Sequence, residues 1–256
     1  MKRRMRRLLS ADGRLFIVAM DHTSFMSAPV PALARYGETC ATAVANGADA
    51  FLVPLGSATL YAEQIGGAAL IASVPTQPPL LEHVVERALA VGADALKVMV
   101  YPFGEGNSVN EAGALGAMCA RYGLPFIAET IPGGFGAQEM HTPDKIAAGA
   151  RIGVEMGADM IKTFYTGDPE SMRAVIANAG VPVVVLGGPK MNSARDVLQV
   201  VYDAVVVAGA AGVAFGTNIW TDPNPGAMTA AIAAVIHGGE SVDQALTRIA
   251  TPAGVA

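Results

Sequence analysis

Four ionisable residues stand in or at the end of short apolar runs: Asp21 closes "LFIVAMD", Lys97 interrupts "ADALKVMV", Glu129 lies in "PFIAET" and Lys162 in "GADMIKTF". An isolated buried charge is costly, so a run that carries one either pairs it or uses it. Lysines and carboxylates together permit one chemistry in particular. A neutral lysine amine adds to a ketone to give a Schiff base, whose iminium draws electrons and lets a nearby carbon–carbon bond break or form. Burial and a neighbouring cation, for which Lys97 is a candidate, both favour the neutral amine. Asp21 and Glu129 are then candidates for moving the hydroxyl proton.

These residues need a scaffold that brings them together. "ANGADAFLV" from Ala45, "AVGADALKVMV" from Ala90, "EMGADMIKTF" from Glu155 and "VAGAAGVAFG" from Val207 share one order: helix end, glycine, small or acidic turn, apolar strand. Further strands are expected over 15–20, 68–73, 125–130 and 182–186, alternating with Ala-rich helical stretches over 31–46, 80–91, 109–122 and 194–208. Eight strands in about 250 residues predict an α/β fold, the (β/α)8 TIM barrel, as one domain over residues 1–256. An open doubly wound sheet would announce a glycine-rich loop after its first strand, and "MDHTSF" is none. The basic segment 1–10 is expected to be a short helix that covers the barrel floor or joins a subunit interface.

A barrel of this kind does its chemistry at the carboxyl ends of its strands. That mouth gathers Asp21 and His22 after the first strand, Lys97 and Tyr101 on the fourth, Glu129 on the fifth and Lys162 on the sixth. Gly187 and Gly188 follow the seventh strand, with Lys190 just beyond, and Gly216 and Thr217 follow the eighth. His22 is read as a hydrogen-bonding group of the mouth, His141 as a surface residue, and Trp220 as packing.

The net charge of -5, from 17 basic and 22 acidic residues, leaves no footprint for nucleic acid or an anionic membrane, so small molecules are the expected partners. No apolar run approaches the roughly 20 residues of a membrane helix, and no secretion signal follows the basic start. Cys40 and Cys119, far apart and outside any metal spacing, read as core residues of a cytoplasmic protein. No His-rich set implies a metal, and the expected chemistry needs no cofactor.

"AMDH" (19–22), "GADMIKTFYTGD" (157–168), "VVVLGGPK" (183–190) and "GVAFGTNIWTDPNP" (212–225) together resemble the class I aldolases of the archaeal fructose-bisphosphate aldolase type, within the DeoC/LacD superfamily. Their relatives include aminodideoxyheptulosonate synthases and an autoinducer-processing thiolase. The resemblance implies a homo-oligomer in which Lys162 is the Schiff-base lysine and Asp21 a catalytic carboxylate. It also implies that the amides of Gly187, Gly188 and Gly216 hold a phosphate. Two departures stand out. Where the archaeal aldolases carry "YPRG", this chain reads "IPGG", with Ile131 at the tyrosine position and Gly133 at the arginine position. Where they carry "GRN", this chain has "GTN", so Thr217 offers a hydroxyl but no charge. Lys97 and Glu129 are more similar to the strand-4 lysine and strand-5 glutamate of class I tagatose-bisphosphate and sulfosugar aldolases, which makes Glu129 the expected substitute for the missing tyrosine. The resulting expectation is a class I aldolase that makes or cleaves a carbon–carbon bond of a ketose monophosphate or similar anionic keto sugar. The alternatives are a Schiff-base synthase or thiolase acting on a keto phosphate, or a non-catalytic barrel.

Overall fold

A computed structural model describes residues 2–75 and 81–250. Eight parallel strands close into a barrel in chain order: β1 (Leu15–Ala19), β2 (Ala50–Pro54), β3 (Ala69–Ser73), β4 (Ala95–Val100), β5 (Phe126–Thr130), β6 (Met160–Thr163), β7 (Val183–Leu186) and β8 (Gly212–Phe215), which pairs back to β1. This is the expected (β/α)8 barrel. Side chains alternate across each strand, so both faces are buried and the strands read as unbroken apolar runs. Ile17, Leu52, Ile71, Ile127, Met160 and Val184 fill the interior, while Phe16, Phe51, Leu96 and Val98 pack beneath the outer helices.

The helical expectations need three corrections. The stretch 31–46 divides into a 3-10 turn, Pro31–Leu33, and a helix, Tyr36–Ala45. The stretch 194–208 is α-helical only over Ala194–Val201 and widens to a π-helix over Tyr202–Val207, where the Ala208 amide reaches back to the Asp203 carbonyl. The basic segment 1–10 is helical only over Met5–Leu8. Met1 and Leu80, included in two of these expectations, lie outside the described residues. Among the described residues, no helix is long and apolar enough to cross a membrane. Cys40 and Cys119 are buried free thiols.

The repeated Gly-Ala-Asp has a structural cause. Each aspartate precedes an even strand and accepts the backbone N–H of the odd strand before it: Asp49 from Phe16 at 2.6 Å, Asp94 from Leu70 at 3.1 Å, Asp159 from Phe126 at 2.8 Å. The basic segment docks on the same groups. Lys2 pairs with Asp159 at 2.8 Å and Arg7 with Asp94 at 2.6 Å, while Arg4 donates to the Ala93 carbonyl. Met5 and Leu8 between them are buried against the barrel interior. The segment therefore covers the barrel floor, one of the two places expected for it.

His237 completes the floor with Nδ1 2.7 Å from Asp12 and Nε2 3.0 Å from Asp49. The bond to Asp49, opposed by burial and reinforced by Asp12, raises its pKa to about 9. A raised histidine pKa contributes stability that is fully present below the unfolded value of about 6.5 and is lost as pH rises through the folded value. Denaturant midpoints of the wild type should therefore fall between pH 6.5 and about 9, and the His237→Gln variant should lose that part of the slope.

Candidate active site

The period-2 alternation that fills the interior also places the charges. Two residues beyond the interior positions Ala19, Ile71, Ala95, Ile127 and Met160 stand Asp21, Ser73, Lys97, Glu129 and Lys162. They form the next inward layer, at the carboxyl ends of the strands. Register brings them into contact, because Ser73 is paired across from Lys97 and Glu129 from Lys162.

The four charges form a chain of alternating sign. Lys97 Nζ lies 2.8 Å from Asp21 Oδ2 and 2.8 Å from Glu129 Oε2, and Lys162 Nζ lies 2.6 Å from Glu129 Oε1. The Ser73 hydroxyl donates to Asp21 at 2.7 Å. All four charged residues are buried. Burial would raise both carboxyl pKa values, but the lysines outweigh it. Lys97 then Lys162 hold Asp21 well below the usual carboxylate range, and Lys162 then Lys97 lower Glu129. Burial would also strip the proton from Lys97, yet Asp21 and Glu129 reverse that effect and raise its pKa. Lys97 is a paired cation between two carboxylates. The sequence-based expectation of Lys97 as a cation set against Lys162 gives way to an arrangement with Glu129 between them.

Removing one partner from a buried ion pair leaves an uncompensated charge, at a cost of about 3–5 kcal/mol. Lys97→Met should therefore lower Tm on the order of 10 °C, given about 2–4 °C per kcal/mol for a chain of this size. An unchanged thermal midpoint would show that the two carboxylates do not depend on Lys97.

Above this layer opens a cavity of about 510 Å³. Asp21, His22, Glu129, Lys162, Gly187, Gly188, Gly216 and Thr217 line it, and Lys97 does not. Lys97 lies beneath it at 1% exposure. Tyr101 faces an adjoining cavity, which shares Phe25 with this one, beside Ser73 and Met99, and Lys190 donates to the Thr221 carbonyl at 3.0 Å, so neither lines the Lys162 cavity. His22 is half-buried, 3.9 Å from Asp21, with its ring edge-on to Trp220. Burial, opposed by Asp21 and reinforced by Lys162, lowers the His22 pKa and favours the neutral ring.

The glycine loops after β7 and β8 line the cavity, with one amide already used. The Gly187 amide donates to the Ala214 carbonyl at 3.3 Å. Gly188 adopts φ +62°, a left-handed conformation that favours glycine. A Cβ at Gly216 would lie 2.3 Å from the Ala19 carbonyl oxygen and 2.8 Å from the His22 ring, so only glycine allows this closeness. Asn218 ties the two loops together: its amide nitrogen donates to the carbonyls of Gly187 and Pro189, and its oxygen accepts from the Met191 amide.

A model of the DeoC/LacD aldolase family matches residues 15–222. The chain belongs to this family. It is 35% identical to the 2-amino-3,7-dideoxy-D-threo-hept-6-ulosonate synthase of Halobacterium salinarum, over 94% of this chain and 93% of that protein. It is 31% identical to the 2-amino-4,5-dihydroxy-6-oxo-7-(phosphonooxy)heptanoate synthase of Streptomyces griseus, over 99% and 96%. Among solved structures, an archaeal fructose 1,6-bisphosphate aldolase superposes with a TM-score of 0.77 at 29% identity, covering 93% of this chain and 99% of that one. A further structure of an archaeal fructose-1,6-bisphosphate aldolase, with its catalytic lysine covalently bound to the carbinolamine intermediate of the substrate, superposes at 0.76 and 28% identity, covering 93% and 99%.

Several residues of this aldolase's site are not among those expected from the sequence. Ser73 holds Asp21, and its place two residues beyond Ile71 on an inward-facing series was a usable signal. Trp220 packs as expected, but its indole also donates to the Ala19 carbonyl and its ring braces His22. His141, expected at the surface, is half-buried, 4.3 Å from Phe164 between ring centres and 3.0 Å from the Gly134 carbonyl. Phe25, Met26, Phe135 and Phe164 line the cavity, and no sequence pattern marks them.

Proposed function

We propose that Lys162 is the Schiff-base nucleophile of a class I aldolase that makes or cleaves a carbon–carbon bond of a ketose monophosphate or similar anionic keto sugar. The observation that carries this reading is the contrast between two buried lysines. Lys162 lines the cavity with a single carboxylate at 2.6 Å, whereas Lys97 lies beneath it, locked between two. Only Lys162 meets a substrate.

Glu129 accepts the ammonium proton of Lys162 as the amine attacks the ketone, and returns it to the carbinolamine hydroxyl, which leaves as water. The iminium supplies the electron sink, so the reaction needs no metal. Asp21, joined to Glu129 through Lys97, takes the proton of the hydroxyl whose carbon–carbon bond breaks, or gives it back in the forming direction. Lys97 keeps both carboxylates ionised and fixed, a positioning role. Gly188, Gly216 and Thr217 offer the anion a place after β7 and β8. The names of the two similar synthases, one of whose products carries a phosphonooxy group beside a ketone, favour the bond-forming direction on a keto phosphate.

Borohydride reduction in the presence of dihydroxyacetone phosphate tests the reading. Mass spectrometry should place the adduct on the Lys162 peptide; an adduct on Lys97, or none with any ketone, overturns it.

A further inference from the structure

The charge inventory of the cavity is one-sided. Among the described residues that line it, Lys162 is the one Lys or Arg, and it is committed to the carbonyl. His22 is the remaining basic group, and burial favours its neutral form. Lys190 is spent on the Thr221 carbonyl, and Lys145 lies over the Phe103 ring at 4.7 Å, outside the cavity wall. The loop amides after β7 and β8 can serve one anion, since backbone donors suffice for that.

The rest of the wall is apolar. Phe25 and Met26, just after β1, stand 46% and 53% exposed, and Phe135, from the loop after β5, stands 49% exposed. Phe164, after Lys162 on β6, meets Phe135 edge-to-face at 6.2 Å, and Leu186 fills the side between them and the glycine loops. Large apolar side chains turned toward a cavity whose floor is a reactive amine mark a surface that an apolar ligand covers. A second phosphate placed there would lose its water and gain no charged donor.

We infer that the aldehyde partner of this reaction carries an apolar body, aromatic or branched aliphatic, in place of a phosphate. This goes beyond the proposed function, since the product is an anionic hydroxyketone with an apolar end and not a sugar, and it rests on the same Schiff base. The ketone condenses with Lys162 with loss of water, and the iminium loses an α-proton to give an enamine. The enamine carbon bonds to the aldehyde carbon as its oxygen takes a proton, and water then releases the β-hydroxyketone and restores the amine. The anionic half stays on the β7–β8 side, and the apolar half lies against Phe135 and Phe164.

Condensation assays test the inference on the full chain. The donor is whichever of dihydroxyacetone phosphate, dihydroxyacetone and hydroxyacetone is trapped on Lys162. The aldehydes are benzaldehyde, isovaleraldehyde, D-glyceraldehyde and D-glyceraldehyde 3-phosphate. The expected result is a kcat/KM at least about tenfold higher for the apolar pair than for the phosphorylated aldehyde, the scale of burying part of one aromatic or branched side chain. In Phe135→Ala that preference should shrink by about tenfold, and in Phe135→Arg it should reverse. Phe135 is half-exposed, so both variants leave the core intact. Trapping on Lys162 together with faster use of D-glyceraldehyde 3-phosphate overturns this inference alone, as do Phe135 variants that lower all aldehydes alike. Failure to trap any ketone overturns the Schiff-base reading beneath it.

Discussion

Lys162→Arg is expected to lower kcat by at least about 10⁴-fold, the scale on which loss of a covalent nucleophile is felt. Arginine keeps the positive charge and therefore the pairing with Glu129, but its guanidinium stays protonated and cannot attack a ketone. The thermal midpoint should stay near that of the wild type, and no borohydride adduct should form. Single-turnover kinetics with the trapped ketone checks the loss. If the variant retains more than a few per cent of the rate, the covalent step lies on another residue. Lys162→Ala is the cruder companion. It removes the amine but leaves Glu129 paired, among the described residues, with Lys97 alone.

Glu129→Gln should lower kcat by about 10²- to 10⁴-fold, the usual contribution of a positioned proton donor and acceptor. Its two oxygens reach both lysines, Oε1 to Lys162 and Oε2 to Lys97, so an amide keeps the shape and loses the proton relay. Slow adduct formation should persist, because the amine remains. A merely structural carboxylate would behave differently: the variant would lose soluble yield while each folded molecule kept its rate. Measuring kcat per folded molecule beside the melting curve separates the two outcomes.

The sequence made the strands and the charged layer legible for the same reason. A parallel barrel buries both faces of every strand, so apolar runs mark strands, and a charge two residues beyond an interior position must face inward. Asp21, Lys97, Glu129 and Lys162 obey that rule and meet. Ser73 obeys it as well and was hidden only by its neutrality. Loop residues follow no period. Tyr101 and Lys190 are at the mouth by position, yet the path of each loop turns them elsewhere, and the same freedom brings Phe25 and Phe135 into the cavity. Pair identity was also beyond the sequence. Lys97 and Lys162 occupy similar apolar runs, and the folded side-chain contacts alone show that one touches two carboxylates and the other Glu129.

The floor segment carries a consequence for the order in which this barrel assembles. Lys2 precedes every strand in the chain, yet its partner Asp159 lies 157 positions later, at the entrance to β6, and Arg7 waits for Asp94 at the entrance to β4. The segment has no complete seat until most of the wall stands, so it is expected to close the structure rather than nucleate it. Contacts absent from a folding transition state leave the folding rate unchanged and appear in the rate of unfolding. Lys2, Met5, Arg7 and Leu8 are thus expected to act as a latch at the end of the barrel opposite the chemistry: Arg7→Ala should speed unfolding and leave the folding rate unchanged in stopped-flow measurements.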